Sequence, residues 1–309
     1  MNHAKIGRRT GKHGPKHVPA SFVLLCTVPT LLLTVYFILV PTIRALVLSF
    51  TDATALSSGG DKFVGLENYR YMFTDETFLQ AVGNSFRLML VVPVFVLSLA
   101  LVLAFLLVQG KLREKAFYRV VFFFPSIISL TVVGIIWSFV FHPTMGILNS
   151  LLDAVGFDAL KLGWLGDART ALWCIAVTIV WQSAGYFMVM HIAAMDGISK
   201  DVYEAATIDG ASMTGKLFCI TLPLIKNVIG ITYVLSLSGI LNLSYILSKV
   251  MTGGGPNNAS LTLLQYIYKQ GMGNGNFGYA MAITVFTLVI SVVLSGISQA
   301  MMNKDRRTR

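Results

Sequence analysis

Residues 88–108 read LMLVVPVFVLSLALVLAFLLV, a stretch of 21 residues without Asp, Glu, Lys or Arg. A helix of about 20 apolar residues is long enough to cross the roughly 30 Å hydrocarbon core of a membrane. Because that core holds no water to satisfy a free backbone amide, a spanning segment must be helical. Five further windows also lack all four charged residue types: 20–43, 120–141, 170–195, 227–248 and 270–303. The sequence therefore predicts an all-α polytopic membrane protein with six transmembrane helices.

The composition agrees with this class and excludes others. Mean hydropathy is +0.71 and only 12% of the residues are charged, which argues against a soluble α/β enzyme. The windows do not alternate polar and apolar residues as barrel strands do. They hold no His-Glu metal site, no Ser-Lys pair and no paired aspartates, so we expect no catalytic residue, no metal and no cofactor. His191 is expected at the interface, near the cytosolic end of the fourth span.

Basic residues collect on one side of the predicted membrane topology. With the N-terminus inside, 16 of the 24 Lys and Arg residues fall in cytosolic segments. Cytoplasmic loops of membrane proteins carry such an excess, so both termini are expected in the cytoplasm. The basic residues are spread over alternate loops rather than over one soluble face, which favours anionic membrane lipid over nucleic acid as their counter-surface.

The chain is expected to form one membrane domain. We interpret residues 1–19 as a basic cytosolic tail and residues 20–309 as a single transmembrane domain. The core of this domain is placed at 80–303, and short cytosolic helices are placed at 199–223. Pro41 is expected to break the outer part of the first span.

The most informative polar run is EAATIDGASMTGKLFCITLP, from Glu204 to Pro223. Asp201 stands three residues before Glu204, in the arrangement of a capping box. Gly210 supplies a stop, because glycine can adopt the left-handed conformation at a helix C-terminus. Ser212 can then cap a second short helix, which Pro223 ends or kinks. The pattern predicts two short helices that meet at a glycine elbow and form a compact knob.

Two interpretations of this knob remain open from the residues alone. It can dock into a groove of a partner protein, or it can lie on the lipid surface as an amphipathic connector. Anionic lipid repels acidic side chains, so the acidic residues of the segment favour docking: Asp196, Asp201, Glu204 and Asp209. The run 210–217 approaches a phosphate-binding loop, but Leu217 replaces the residue that binds Mg²⁺ and no β-strand precedes it. We therefore expect no ATP binding there.

Uncharged polar side chains on two spans suggest a path for solute. Such groups are costly in a membrane unless they face a cavity or a partner helix. Hydroxyl and amide groups beside an aromatic ring suit a neutral sugar, whereas bonding between helices is the alternative role for the serines. Spacings of i, i+1, i+4 in the fourth span and i, i+4, i+7 in the fifth place side chains on shared faces. The candidate path residues are Gln182, Ser183, Tyr186, Ser236, Ser238, Asn242 and Tyr245.

The run 204–223 resembles the hallmark of the membrane subunits of binding-protein-dependent ABC importers. That hallmark is E-A-A, three residues, G, nine residues, I-x-L-P. It is matched at every spacing by Glu204, Ala205, Ala206, Gly210, Ile220, Leu222 and Pro223. Further segments are similar to the carbohydrate branch, in particular to the larger membrane protein of maltose-type and glycerol-phosphate-type systems: SFTD at 49–52, GLENY at 65–69 and TGGGP at 252–256.

The resemblance implies an ABC importer type I permease (MetI-like) fold in a bacterial inner membrane. It implies a full importer of two membrane subunits, typically different homologous chains, two cytosolic ATPases and an extracytoplasmic solute-binding protein. It assigns Glu204, Ala205, Ala206 and Gly210 to the ATPase contact, with Asp209 beside them. The chain would then be no enzyme, would form half of the path of a carbohydrate importer, and would bind no nucleic acid.

A self-sufficient secondary carrier or facilitator for a small neutral solute is the alternative. Such a carrier would need no docking knob.

Overall fold

The computed structural model describes residues 20–56, 61–110 and 112–307. In these ranges the regular structure is helical apart from one isolated antiparallel bridge, between Thr51 and Phe63. The α-helices are α1 Ala20–Thr34, α2 Val40–Leu48, α3 Glu67–Met72, α4 Glu76–Gln109, α5 Lys115–Phe123, α6 Leu130–Val140, α7 Ile147–Ala154, α8 Ala171–Asp196, α9 Lys200–Ile208, α10 Met213–Gly215, α11 Leu222–Met251, α12 Leu263–Tyr268 and α13 Phe277–Arg307. The all-α prediction is confirmed. The predicted tail, 1–19, lies outside the described residues.

The predicted spans correspond to helices, with one bend. Within the described residues, four helices are long and apolar enough to cross a membrane: Ser21–Leu48, Glu76–Gln109, Ala171–Asp196 and Met213–Met251. The third window falls in two helical segments, Lys115–Ile127 and Leu130–Val140, which meet at 100°. The helix of the sixth window begins later than expected, because α13 starts at Phe277. Its apolar stretch within the described residues is Phe277–Val293. The third predicted span is therefore bent.

The chain divides into two compact units, Met1–Val47 and Leu48–Arg309. In the first unit the helix continues past Pro41, so the predicted break there is wrong. A π-helical turn, Val35–Leu39, comes just before, and the Val40 amide donates to the Val35 carbonyl five residues back. This wider turn lets a helix accommodate a residue that has no amide donor.

The core of the second unit lies where α4, α8 and α11 pack together. Leu88 of α4, Ile175 of α8 and Ile240 of α11 are each at most 1% exposed. Ala100 and Ala104 of α4 are fully buried, and such small residues let membrane helices approach closely. These three helices form the frame on which the polar groups described below are placed.

Helix α8 fixes the bend between α5 and α6. A 3₁₀ turn, Phe124–Ile127, occupies the bend, and the Ser126 hydroxyl donates to the Gln182 carbonyl at 2.9 Å. One turn along α8, a Cβ added to Gly185 would stand 1.9 Å from the Phe122 carbonyl oxygen. Only glycine permits this backbone contact, and the bend rests against it.

Asp75 joins the start of α4 to two segments far along the chain. One carboxylate oxygen accepts from the amides of Thr77 at 2.9 Å and Phe78 at 3.3 Å, which caps the helix. The other accepts from the Tyr266 hydroxyl and, at 2.7 Å, from the Tyr279 hydroxyl. A single side chain therefore fixes the first turn of α4 against α12 and α13.

Candidate functional site

The segment after α8 forms the predicted knob of two short helices, residues 199–223, called here the coupling knob. The Ser199 hydroxyl caps α9 by accepting from the Asp201 amide at 3.3 Å. The cap is thus two residues earlier than the expected Asp201, which lies in the first turn. Gly210, with φ +77°, follows the end of α9. The Ser212 hydroxyl accepts from the Gly215 amide at 3.1 Å, so the elbow and the second cap are confirmed.

Two hydrogen bonds close the coupling knob across its elbow. Lys216 Nζ donates to Thr207 Oγ1 at 2.7 Å. The Tyr203 hydroxyl lies 3.0 Å from Thr221 Oγ1, and both residues are buried. Because Thr221 Oγ1 donates its own hydrogen to the Lys216 carbonyl, Tyr203 is the donor to Thr221. Helix α9 is therefore attached directly to the segment that leads into α11.

The residues expected at the ATPase contact divide between two faces of the coupling knob. Glu204, Ala205, Asp209 and Gly210 are exposed. Ala206 is only 8% exposed and lies one turn from buried Tyr203, so it packs inside this chain. Ile208, at the end of α9 beside them, is 87% exposed and was not among the predicted contact residues. In the sequence it is the apolar residue in the last turn of α9.

The helix does not end at Pro223, which was one of the two outcomes predicted there. The helical element Met213–Met251 is continuous over 39 residues. A π-helical turn, Lys216–Thr221, precedes the proline, and the Leu222 amide donates to the Leu217 carbonyl. Pro223 then lies in the first turn of α11. The second arm of the knob and the fifth span are one rod.

A cavity of about 340 Å³ lies between α4, α8, α11 and the bend. This volume falls within the range of small-molecule pockets, roughly 300 to 1,000 Å³. Its lining has no charged residue and combines apolar side chains such as Ile179 and Ile240 with polar ones. The polar lining residues are Ser126, Gln182, Ser183, Tyr186, Ser236 and Asn242. Five of these are predicted path residues, whereas Ser126 was missed because the bend was not foreseen.

The remaining two predicted path residues, Ser238 and Tyr245, do not line the cavity. Two residues along a helix correspond to about 200° of rotation, so Ser238 lies on the face opposite Ser236. Its hydroxyl donates to the Val234 carbonyl of its own helix at 2.9 Å. Tyr245 stacks on Tyr268, with ring centroids 4.8 Å apart and planes 12° apart. Of the three residues predicted to share a face, Ser238, Asn242 and Tyr245, only Asn242 lines the cavity.

His191, expected at the interface, is buried between helices. Its side chain is fully buried, and its Nε2 lies 3.2 Å from the Thr232 hydroxyl oxygen of α11. The histidine therefore joins α8 to α11. Its neighbours in sequence could not reveal this contact, because Thr232 is 41 residues away.

A model of the family described as "Binding-protein-dependent transport system inner membrane component" matches residues 20–307. The chain belongs to this family. It is 36% identical over 263 residues to the probable ABC transporter permease protein YurN of Bacillus subtilis, which covers 84% of this chain and 88% of that protein. It is 32% identical over 272 residues to the diacetylchitobiose uptake system permease protein NgcF of Streptomyces coelicolor, which covers 85% and 77%.

Solved structures confirm the fold of this inner membrane component. The crystal structure of a bacterial alginate ABC transporter, in complex with an alginate pentasaccharide-bound periplasmic protein, contains a chain that matches with a TM-score of 0.80. The match covers 92% of this chain and 94% of that one at 21% identity, and so concerns the fold alone. The predicted importer permease fold is confirmed. Family membership also favours the importer subunit over the self-sufficient carrier.

Proposed function

We propose that this chain is the permease subunit of an ATP-driven carbohydrate importer, in which it forms half of the translocation path. The observation that carries this proposal is the continuous helical element Met213–Met251. Near one end of this element, Thr221 is hydrogen-bonded to Tyr203 of α9. Further along it, Ser236 and Asn242 line the neutral polar cavity. Because one rod reaches both places, a displacement of α9 is passed to the cavity without a flexible joint.

The chemistry of the cavity favours a neutral saccharide. Its polar groups are hydroxyls and amides, which can both donate and accept hydrogen bonds as sugar hydroxyls do. The Tyr186 ring is 48% exposed and can stack on the apolar face of a sugar. The similar protein NgcF is a diacetylchitobiose uptake permease by name, which agrees with this solute class.

Partner chains complete the importer in this proposal. Asn242 and Ser238 are exposed on a membrane helix, where polar groups facing lipid are costly. A second permease subunit, a different homologous chain, would cover them. Two cytosolic ATPases would dock on Glu204, Ala205, Ile208, Asp209 and Gly210 and would hydrolyse ATP, and an extracytoplasmic solute-binding protein would deliver the sugar. Both termini would be cytoplasmic, with residues 1–19 as a tail and 20–309 as one permease domain.

The docking role is tested by Glu204→Lys in the co-expressed complex. The ATPase subunits should no longer co-purify, whereas the chain should still insert in the membrane. Glu67→Lys is the matched control, since Glu67 is exposed in α3, away from the coupling knob. Stoichiometric ATPase subunits on Glu204→Lys would refute docking at this site. Proteoliposomes that hold this chain alone should not move sugar; sugar movement there would support a carrier instead.

The solute path is tested by a pair of serines on α11. Ser236→Ala removes a hydroxyl from the cavity, and Ser238→Ala removes one that faces away from it. Loss of one hydrogen bond to substrate, worth about 0.5 to 1.5 kcal/mol, should raise the sugar KM several-fold for Ser236→Ala. Ser238→Ala should leave KM unchanged. The reverse pattern would place the path on the other face of α11.

A further inference from the structure

A second cavity, called here the basic cleft, lies on the inner side of the coupling knob. It measures about 770 Å³ and is separate from the solute cavity. Its walls come from the end of α4, helix α5, the end of α8 and helix α9. Because two membrane helices, α4 and α8, end there, the basic cleft lies at the boundary between hydrocarbon and water.

Cations outnumber carboxylates in the lining of the basic cleft. The carboxylates are Asp196 and Glu204, and the cations are Lys115, Arg119, Lys200 and Lys216. In the described part of the chain, none of these four cations forms an ion pair with a carboxylate. The cleft therefore carries a net positive charge that the protein itself leaves unneutralised.

Two of the four cations, Arg119 and Lys200, keep all their hydrogen-bond donors available, whereas the other two do not. Lys115 Nζ donates to the Val108 carbonyl at 2.9 Å, and Lys216 Nζ donates to Thr207. Arg119 and Lys200 form no side-chain hydrogen bond within the described residues, and both are exposed. A guanidinium offers a fork of donors that matches phosphate oxygens. Arg119 and Lys200 are thus the groups best placed to bind an anion.

One wall of the basic cleft is apolar, which limits the kind of anion. Leu107, Ile192 and Met195 form a buried apolar wall. Helix α5 adds an apolar surface towards the outside, where Phe117 is 60% and Val120 is 66% exposed. A helix with basic and apolar exposed residues is typical of the membrane interface. A ligand that fits both surfaces has a charged head and a hydrocarbon body.

We propose that the basic cleft binds an anionic phospholipid, with its phosphate-bearing headgroup held by Arg119 and Lys200 and its acyl chains along the apolar wall and α5. Basic pockets between membrane helices on the cytoplasmic side are suited to anionic headgroups. The lipid would contact Tyr203 and Thr207 on the face of α9 that lines the basic cleft, a face that also carries Glu204. It would therefore support the coupling knob from the membrane side.

The test measures lipid retention by the purified chain, without any partner subunit, so that it does not depend on transport. Native mass spectrometry would count phosphatidylglycerol and phosphatidylcholine molecules retained in detergent. The double variant Arg119→Gln, Lys200→Gln should lose at least tenfold in phosphatidylglycerol affinity and none in phosphatidylcholine affinity. The control Arg113→Gln, Lys269→Gln changes the charge equally with exposed residues outside the basic cleft, and should retain phosphatidylglycerol. The conservative Arg119→Lys should recover part of the binding.

Other results would overturn the proposal. Equal loss in the cleft variant and its control would indicate only a general attraction of the basic surface for anions. Inorganic phosphate that binds with the same dependence on Arg119 and Lys200, while phosphatidylglycerol does not compete, would indicate a site for a free anion. Full phosphatidylglycerol binding, with loss of the ATPase subunits from the assembled complex, would assign the cleft to a protein interface.

Discussion

The Tyr203 hydroxyl donates to Thr221 Oγ1 at 3.0 Å across the Gly210 elbow. This buried contact connects α9, which carries the exposed residues proposed to dock the ATPases, with the 39-residue helical element that reaches the polar cavity. A force applied to α9 has a direct route to that helix. The contact is therefore expected to affect coupling more than assembly.

Tyr203→Phe should uncouple ATP hydrolysis from transport. The ring keeps its packing, while one hydrogen bond worth about 0.5 to 1.5 kcal/mol is lost. Glu204 and Ile208 remain exposed, so ATPase subunits should still co-purify. Sugar moved per ATP hydrolysed in proteoliposomes should fall several-fold. Tyr233→Phe, on partly buried Tyr233 of α11, is the control, and an equal fall in that variant would remove the special role of Tyr203.

Gly210 should tolerate Asn far better than Val. At φ +77° an L-residue is strained by about 1 to 2 kcal/mol, and Asn adopts this conformation more readily than most. A Cβ there would meet nothing within 4 Å, so the strain is conformational rather than a clash. ATPase co-purification and transport should fall in the order Gly, Asn, Ala, Val. Gly197→Ala, at φ −76°, should have no effect, and unchanged transport in Gly210→Val would refute the elbow.

Gly185→Ala and Gly83→Ala should change stability in opposite directions. A Cβ at Gly185 would overlap the Phe122 carbonyl, and overpacking of this kind costs about 1 to 3 kcal/mol. A Cβ at Gly83 of α4 would meet nothing within 4 Å, so Ala should stabilise the helix by about 0.5 to 1 kcal/mol. Thermal unfolding in detergent measures both. Equal melting temperatures would show that the bend does not depend on the Gly185 contact.

Asp75 should make stability depend on acidic pH. Partial burial raises its pKa, but hydrogen bonds from Tyr266, Tyr279 and the amides of Phe78 and Thr77 outweigh burial, so the pKa lies below its ordinary value. A carboxyl group with a lowered pKa in the folded state stabilises above its unfolded pKa, about 3.9. That stabilisation is lost as the pH falls through the folded pKa.

The measurement for Asp75 is the melting temperature in detergent from pH 7 to pH 3. Asp75→Asn should melt lower at pH 7 and should lose less stability than the parent protein on acidification. Asp61→Asn, at an exposed position, should follow the parent curve. Parallel curves for Asp75→Asn and the parent protein would show that the carboxylate does not carry this pH dependence.

Much of the fold and part of the candidate site could be predicted from the sequence, because the signals for them were local. Uncharged windows of 20 residues or more identify helices by length alone. The elbow depends on Gly210 and the second cap on Ser212, and both act within a few residues. Five of the seven predicted path residues line the cavity. Ser238 and Tyr245 could not be separated from them, because the orientation of α11 is set by its packing on α8.

Two prolines show where local rules fail. Pro41 was expected to break a helix and Pro223 to end or kink one, yet a π-helical turn ends two residues before each and the helix continues. A rule about one residue cannot include the backbone adjustment of the preceding turn. The bend in the third predicted span has a different origin, since it rests against Gly185 of another helix, 63 residues after Phe122.

By itself the sequence determined the helical membrane class and the spacing of the E-A-A motif, because both depend on residues close together along the chain. The tertiary structure alone decided the face of α11 that lines the cavity, the position of buried His191, and the net charge of the basic cleft. Residues 196–209 are acidic on their own, yet Lys115 and Arg119 of α5 and Lys216 of the next segment make the space beside them positive. Charge and burial sum over neighbours in space, and those neighbours come from helices far apart in the sequence.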